Sequence, residues 1–322
     1  MDKMERVDIL LSTYNGELYI DELLCSLINQ TYSAIRVIIR DDGSTDRTVE
    51  RLKYWKCKYP DKIIICQDDK GNLGVTKSMF ILLSKSDSKY AMFCDQDDVW
   101  FAKKVAYLVK AIMMKEAQYK NIPLIVHCDS YVTDAQLQLI SKEKEKARHQ
   151  YQIGRKKQQA SFANLLLSNV VQGASMMINN LLKDQLTALL DASLDKKVMY
   201  DSLIASVCAI KGKIFYLNKP LMYYRQHGKN VVGVTVTSIS NLWGGGEKEV
   251  AAIRYAHFLS VEKRKCKIIS RVYGKELNEY QKSIIEHYLK RPNDWLEFIK
   301  LRLYRDFSIT QIIVMILFGI DN

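Results

Sequence analysis

The chain has 322 residues, 48 of them Lys or Arg and 36 Asp or Glu, giving a formal charge of +12; 48% of it is hydrophobic. That balance belongs to a folded protein with a sizeable core, and the length allows one large domain with an extension, or two domains. Only 4 prolines and 14 glycines exclude collagen-like and low-complexity architectures, while the excess of base asks for an anionic partner: nucleic acid, a phosphate-bearing substrate or an anionic membrane surface.

The charged residues 1–6 lead into Val7-Asp8-Ile9-Leu10-Leu11, an apolar run too short for a secretory leader. It reads as a strand ending in the polar turn Ser12-Thr13-Tyr14-Asn15-Gly16. Leu23, Leu24, Leu27 and Ile28 then recur three and four apart, the spacing of one helix face. A second strand over 35–39 ends at Asp41-Asp42-Gly43-Ser44, and a helix over 48–59 stops at Pro60. Ile63-Ile64-Ile65-Cys66 is a third strand, followed by a loop through Gly71-Asn72-Leu73-Gly74 and a helix to about Ser84. Tyr90-Ala91-Met92-Phe93-Cys94 is a fourth strand, ending at Asp95-Gln96-Asp97-Asp98, and 100–113 reads as helical. Strands separated by helices of this length imply βαβ units and a mainly parallel α/β sheet. Ligands of such sheets bind beyond the carboxyl ends of the strands, where three of these four strands carry a polar or acidic turn.

Seven Lys and Arg against two Glu crowd residues 141–157, the pattern of a solvated helix or a loop facing an acceptor. From about Ser238 the pattern is helical, with Gly244-Gly245-Gly246 as a hinge. The expected division is therefore a catalytic domain over 1–235 and a helical extension over 236–322. Seven widely spaced cysteines without a CxxC pair argue against zinc or a disulfide framework and for a reducing cytoplasm.

Grouped carboxylates after a buried strand repel one another unless a cation shares them. Asp95 and Asp97 therefore suggest a hard divalent ion, Mg²⁺ or Mn²⁺, bound with substrate phosphates; the plainer alternative is an acidic helix start. Asp41 and Asp42 can accept hydrogen bonds from a base or a ribose, or can simply build a turn.

The set Leu11-Ser12-Thr13-Tyr14-Asn15-Gly16, Gln30-Thr31-Tyr32, Asp41-Asp42-Gly43-Ser44-Thr45-Asp46, Asn72-Leu73-Gly74 and Asp95-Gln96-Asp97-Asp98 resembles family 2 glycosyltransferases of the GT-A fold, in order and spacing over roughly the first 100 residues. The resemblance implies a Rossmann-like sheet flanked by helices and an inverting transferase that uses a nucleotide-diphospho-sugar. Thr13, Tyr14, Asn15, Asp41, Asp42, Asn72, Asp95 and Gln96 would meet the nucleotide-sugar, and Asp97, Asp95 and His227 would hold the metal. Further along, Met199-Tyr200-Asp201-Ser202 and Tyr224-Arg225-Gln226-His227-Gly228-Lys229-Asn230 look like a bacterial rhamnosyltransferase-like branch. That branch has His-Asp-Trp where this chain has Tyr200-Asp201-Ser202. Its aspartate, here Asp201, would be the general base, the alternative being a helix cap. Gln172-Gly173-Ala174-Ser175 would lie near the acceptor.

The same residues admit two rival readings. Asp95-Gln96-Asp97-Asp98-Val99 also fits a haloacid-dehalogenase-type phosphatase, which needs the motif on its first strand and a later metal-binding acid pair. A nucleotide-sugar-binding partner without turnover keeps the acids but not the reaction. A dinucleotide dehydrogenase lacks its GxGxxG, and no nucleic-acid-reading motif appears. Beyond Arg291, aromatic and aliphatic residues interleaved with Lys300, Arg302 and Arg305 suit a helix lying in a membrane interface, or one packed on the catalytic domain. Residues 221–322 carry 16 Lys and Arg against 10 Asp and Glu. The expected setting is the cytoplasm, or the inner face of the cell membrane, with a saccharide or lipid-linked saccharide as acceptor.

Overall fold

A computed structural model describes residues 4–149, 160–167, 169–190, 192–228 and 247–289. The first half alternates as expected: β1 (Val7–Thr13), α1 (Ile20–Ile28), β2 (Ile35–Asp41), α2 (Thr48–Lys58), β3 (Ile63–Cys66), α3 (Val75–Ser84) and β4 (Tyr90–Cys94). β5 (Val99–Trp100), α4 (Lys104–Gln118), β6 (Leu124–Thr133), α5 (Phe162–Leu167), β7 (Met176–Asn179), α6 (Asn180–Leu186), α7 (Tyr200–Lys211) and β8 (Lys213–Arg225) follow. The helices α8 (Glu247–Tyr273) and α9 (Glu279–Leu289) come last.

Among the described residues the strands form one eight-stranded sheet in the order β3-β2-β1-β4-β7-β6-β8-β5. β1, β2, β3 and β4 are mutually parallel. β7 runs antiparallel to both β4 and β6, and β5 antiparallel to β8. The sheet is thus parallel where the βαβ pattern repeats and mixed beyond it. The antiparallel strands enter through other connections: β5 follows β4 directly after residues 95–98, and β7 follows β6 after residues 134–175, which include α5.

Residues 99–100 do not begin the helix expected there. Val99 and Trp100 pair with Tyr223 and Met222 of β8, and α4 begins only at Lys104. A β-branched and an aromatic residue next to an available strand edge favour pairing over the first helical turn.

Successive side chains of a strand face opposite sides, and the two cores follow that alternation. Leu10, Ile38, Phe93 and Ile178 join one core with α3, α6, α7, α8 and α9. Ile9, Leu11, Val37, Ile39, Met92 and Met177 join the other with α1, α2 and α4. Burial on both faces explains why β4 reads as an unbroken apolar run, and β1 over 7–11 as one interrupted only by Asp8, which is buried and paired with Arg36. Cys266, Ile269 and Tyr273 of α8, with Ile284, Ile285 and Tyr288 of α9, belong to the first core. Residues 266–288 of the C-terminal extension are therefore packed on the sheet domain. Its proposed hinge at 244–246 and the aromatic segment 291–322 lie outside the described residues.

The basic segment is more anchored than a solvated helix. Ala147 is buried, and the Arg148 guanidinium reaches Asp129 of β6 at 2.6 Å and Tyr216 of β8 at 3.0 Å. Its remainder, 150–157, lies outside the described residues.

Candidate active site

Register brings the carboxyl ends of β1, β2 and β4 to one rim, since Thr13 pairs with Asp41 and Leu11 with Cys94. Two turns are sewn together there. The Thr13 hydroxyl donates to Asp41 at 2.8 Å, and the same carboxylate accepts the Ser44 hydroxyl and backbone N–H. Asn15, held in the left-handed region at φ 46°, accepts from the Thr45 N–H at 2.8 Å while its own N–H donates to Ser44. Gln96 exchanges two hydrogen bonds with the backbone of Tyr14, each 2.9 Å long. The rim is consequently rigid, with Tyr14, Asn15 and Asn72 exposed on it.

Asp42 is the acid expected to contact base or ribose. It is buried, and its carboxylate accepts from Arg40 and from the N–H groups of Leu73 and Gly74 at 2.8 and 2.7 Å. An aspartate beneath a loop with these donors is a clamp on Asn72-Leu73-Gly74.

The acids after β4 split into three environments. Asp98 is wholly buried, and burial raises its carboxyl well above the usual range, helped by Asp97 and Asp95. Lost hydration, with the neighbouring Asp97 and Asp201 carboxylates, pushes Asp95 up to about 7. Asp97 Oδ2 lies 2.8 Å from His227 Nε2. His227 is itself stacked on Tyr19 with ring centroids 4.9 Å apart, and the Arg225 guanidinium sits 4.6 Å from the same ring. Arg225 is buried, donates to the Asp97 carbonyl at 2.9 Å, and pairs with Glu22 of α1. β8 thus delivers His227 to the acidic rim, about 130 residues from Asp97 in sequence.

Among the described residues no group of three or more His, Cys, Asp and Glu is arranged to hold a metal ion. Asp97 and His227 are instead an adjacent carboxylate–imidazole pair with Asp95 close enough to repel. That donor set fits a Mg²⁺ or Mn²⁺ ion completing its coordination with phosphate oxygens, rather than an all-protein cage.

Asp201 opens α7 beside the same rim. It accepts from the Gly173 N–H at 3.1 Å and from the Ser202 N–H at 2.6 Å. Burial pushes it up to about 6 against those N–H groups, which pull it down. Its neighbour Tyr200 is buried on Phe93 and donates to Asp95 Oδ1 at 3.3 Å. Gly173 is required by closeness: a Cβ there would lie 2.1 Å from the Tyr200 hydroxyl. So the short turn at Gly173–Ser175 does adjoin the candidate base.

Three residues that sequence patterns do not single out complete the arrangement. Tyr19 orients His227. Lys104 is wholly buried, donates to the Ala174 carbonyl at 2.6 Å and lies 3.4 Å over the Trp100 ring; burial lowers its ammonium to about 8. Lys265 of α8 donates to the Ser202 hydroxyl at 2.6 Å. A lysine in a helical stretch carries no sign that its head group is internal.

Comparisons with known proteins give the family and the fold. Residues 8–185 match the family model for glycosyl transferase family 2. A Shigella flexneri protein called dTDP-rhamnosyl transferase RfbG is 26% identical over 231 residues, covering 70% of this chain and 75% of that protein. A Haemophilus influenzae protein known only as a glycosyltransferase is 39% identical over 114 residues, 34% of this chain; the chain spans 35% of that protein's length. The solved mannosyltransferase PcManGT from Pyrobaculum calidifontis, in complex with GDP-Man and Mn²⁺, shares the fold at a TM-score of 0.52 and 12% identity. That match covers 99% of this chain and 89% of PcManGT.

Proposed function

The chain belongs to glycosyl transferase family 2 and is a glycosyltransferase of the GT-A fold, and from that premise we propose that it transfers a sugar with inversion from a nucleotide-diphospho-sugar to a saccharide or lipid-linked saccharide. The observation carrying this reading is the meeting of Asp201 with the Asp95–Asp97–His227 rim through Tyr200. A phosphatase of the haloacid-dehalogenase type would carry its paired acids on the first strand, whereas these follow β4.

In this reading the exposed rim residues Tyr14, Asn15 and Asn72 border the nucleoside, with Thr13, Asp41 and Gln96 fixing their backbone. Asp97, His227 and Asp95 would hold a divalent ion, whose charge would offset that of the departing diphosphate. Asp201 accepts the proton of the acceptor hydroxyl. That oxygen forms a bond to the anomeric carbon as the bond from carbon to the diphosphate oxygen breaks on the opposite face. Positioned general-base catalysis of this kind contributes roughly 10²–10⁴-fold. Asp201 is suited to the work, because a carboxyl near 6 is ionised at neutral pH and remains a better base than an unperturbed one.

The similarity to the Shigella protein makes dTDP-rhamnose the first donor to try, with a UDP-hexose second. The basic C-terminal residues favour a phosphate-bearing lipid acceptor at the inner membrane surface; no helix among the described residues is long and apolar enough to cross a membrane. The test is incubation of the full chain with a panel of nucleotide-sugars, with and without Mn²⁺ or Mg²⁺, reading nucleoside-diphosphate release and the anomeric configuration of the product by NMR. Inverted product from a single favoured donor is expected. A retained configuration would overturn the single-displacement mechanism.

A further inference from the structure

The region beyond the family-matched residues reaches the candidate base. Lys265 of α8 is fully buried, and its ammonium makes three contacts: the Ser202 hydroxyl at 2.6 Å, the Leu165 carbonyl at 3.0 Å and the Glu262 carboxylate at 2.7 Å. Ser202 is the residue whose backbone N–H holds Asp201 Oδ1 at 2.6 Å. A buried ammonium is costly unless it is paired and hydrogen-bonded, and this one is placed one residue from the only aspartate on α7. In the pattern this chain resembles, a Trp stands where Ser202 is; here a small hydroxyl leaves room for the lysine and gives it an acceptor.

We propose that Lys265 is a positioning residue for Asp201, fixing the first turn of α7 through Ser202 and keeping a positive charge behind the carboxylate. The inference rests on the transferase reading for its use, but the charge coupling does not. The other groups that bear on Asp201 are Asp95 at the end of β4, which repels it, and the N–H groups of Gly173 and Ser202, which stabilise its charge. Glu262, one turn earlier on α8, partly offsets Lys265. Arg264, on the same helix, pairs with Asp195.

The device is specific to the C-terminal helix. Lys104, the other buried lysine near the site, holds the Ala174 carbonyl on the opposite side of the Gly173 turn. Two internal ammonium groups therefore brace the loop and helix that flank Asp201, and of these Lys265 is the one whose charge opposes protonation of Asp201.

Removing one member of a buried pair leaves the other uncompensated, so Lys265→Met alone is a poor test. The variant of choice is Lys265→Met/Glu262→Gln in the full chain, which removes both charges and keeps their volumes. Carboxyl titration is followed by NMR with ¹³C-labelled aspartate, Asp201→Asn assigning the resonance. Lys265 bears on Asp201 more than Glu262 does, so losing both charges should still raise the Asp201 midpoint, by about half a pH unit once the lost repulsion of Glu262 is set against the lost attraction of Lys265, and the acid limb of the transfer rate should move with it. An unshifted midpoint in the folded double variant overturns the proposal. Should Asp201→Asn transfer sugar normally, the base assignment falls, yet the titration still decides whether Lys265 governs Asp201. Ser202→Ala is the second variant: it keeps both charges, removes the hydroxyl, and is expected to lower kcat several-fold with little change in the midpoint. Unaltered kcat there would overturn the positioning half.

Discussion

The Tyr200 hydroxyl donates to Asp95 Oδ1 at 3.3 Å, so the first residue of α7 touches the first acid after β4. This contact closes the site across 105 residues of sequence and ties the candidate base to the donor rim. Tyr200→Phe keeps the ring packed against Phe93 and deletes only the hydroxyl. A hydrogen bond to a carboxylate is worth about 1.5 kcal/mol, so kcat/KM should fall roughly tenfold while the melting temperature stays nearly unchanged. Steady-state kinetics and thermal unfolding of the two proteins check this. A fall in stability without a fall in rate would make Tyr200 a packing residue.

Gly173 tests the same geometry from the other side. An added methyl would collide with the Tyr200 hydroxyl, which must swing away or push the Gly173 N–H off Asp201. Displacement of about 1 Å at a catalytic group can cost on the order of 10²-fold in rate. Gly173→Ala is therefore expected to lose activity by that order, and Gly173→Ala/Tyr200→Leu to recover part of it, because the hydroxyl, Cζ and Cε2 that would lie 2.1, 2.6 and 2.9 Å from the added Cβ are then gone. Equal losses in the single and double variants would count against the collision.

For Asp201, the sign of the pH effect follows from its carboxyl being raised from 3.8 to about 6 by burial. The base is charged above that value and neutral below it, so kcat should be level near pH 7–8 and fall about tenfold per unit below 6. Stability has the opposite sign. The folded state holds this proton more tightly than the unfolded chain does, so its contribution is favourable below the unfolded value and is lost as pH rises through the folded one. Asp201→Asn should accordingly abolish the acid limb, reduce transfer by roughly 10²–10⁴-fold, and leave nucleoside-diphosphate binding intact. At neutral pH the relief of a buried charge and the loss of one of the two N–H acceptors oppose each other, so it should melt close to the parent. Rate profiles, calorimetric binding and thermal unfolding measure the three parts.

The fold was legible where local signals repeat. Apolar runs at β1 to β4, each closed by a polar turn, fixed the parallel half, because burial on both faces leaves an unambiguous pattern. β5 was not legible: Val99 and Trp100 owe their pairing to Tyr223 and Met222, which lie far along the chain. The acids of the rim were readable as a set, but their division of labour was not. Asp41 and Asp42 are adjacent in sequence, yet only the three-dimensional arrangement shows Asp42 beneath the 72–74 loop. His227 and Asp97 come together because β8 ends over the rim, an outcome of strand order rather than of motif. The buried lysines Lys104 and Lys265 left no sequence trace at all, since burial of a charge depends on partners supplied by other elements.

Asp42 supplies the last prediction. Its carboxylate joins Arg40 to the backbone of Leu73 and Gly74, and Arg40 also reaches Asp68 at 2.8 Å and the Gly71 carbonyl at 3.0 Å. Asp42→Asn keeps the shape but replaces one acceptor with an amide that cannot accept, so one loop N–H and part of the Arg40 charge lose their partner. Breaking one member of a buried ion pair costs about 3 kcal/mol, and Asp68, which remains, should hold the loss to the lower part of that range. If the loop is a clamp on the donor side, the substitution should raise the donor KM several-fold through a displaced Asn72 while kcat with saturating donor changes little. Asp201→Asn shows the reverse division, with kcat lost and donor binding kept. A variant of Asp42 that lost kcat alone would place Asp42 in the reaction itself, against the burial and hydrogen bonding that make it a support.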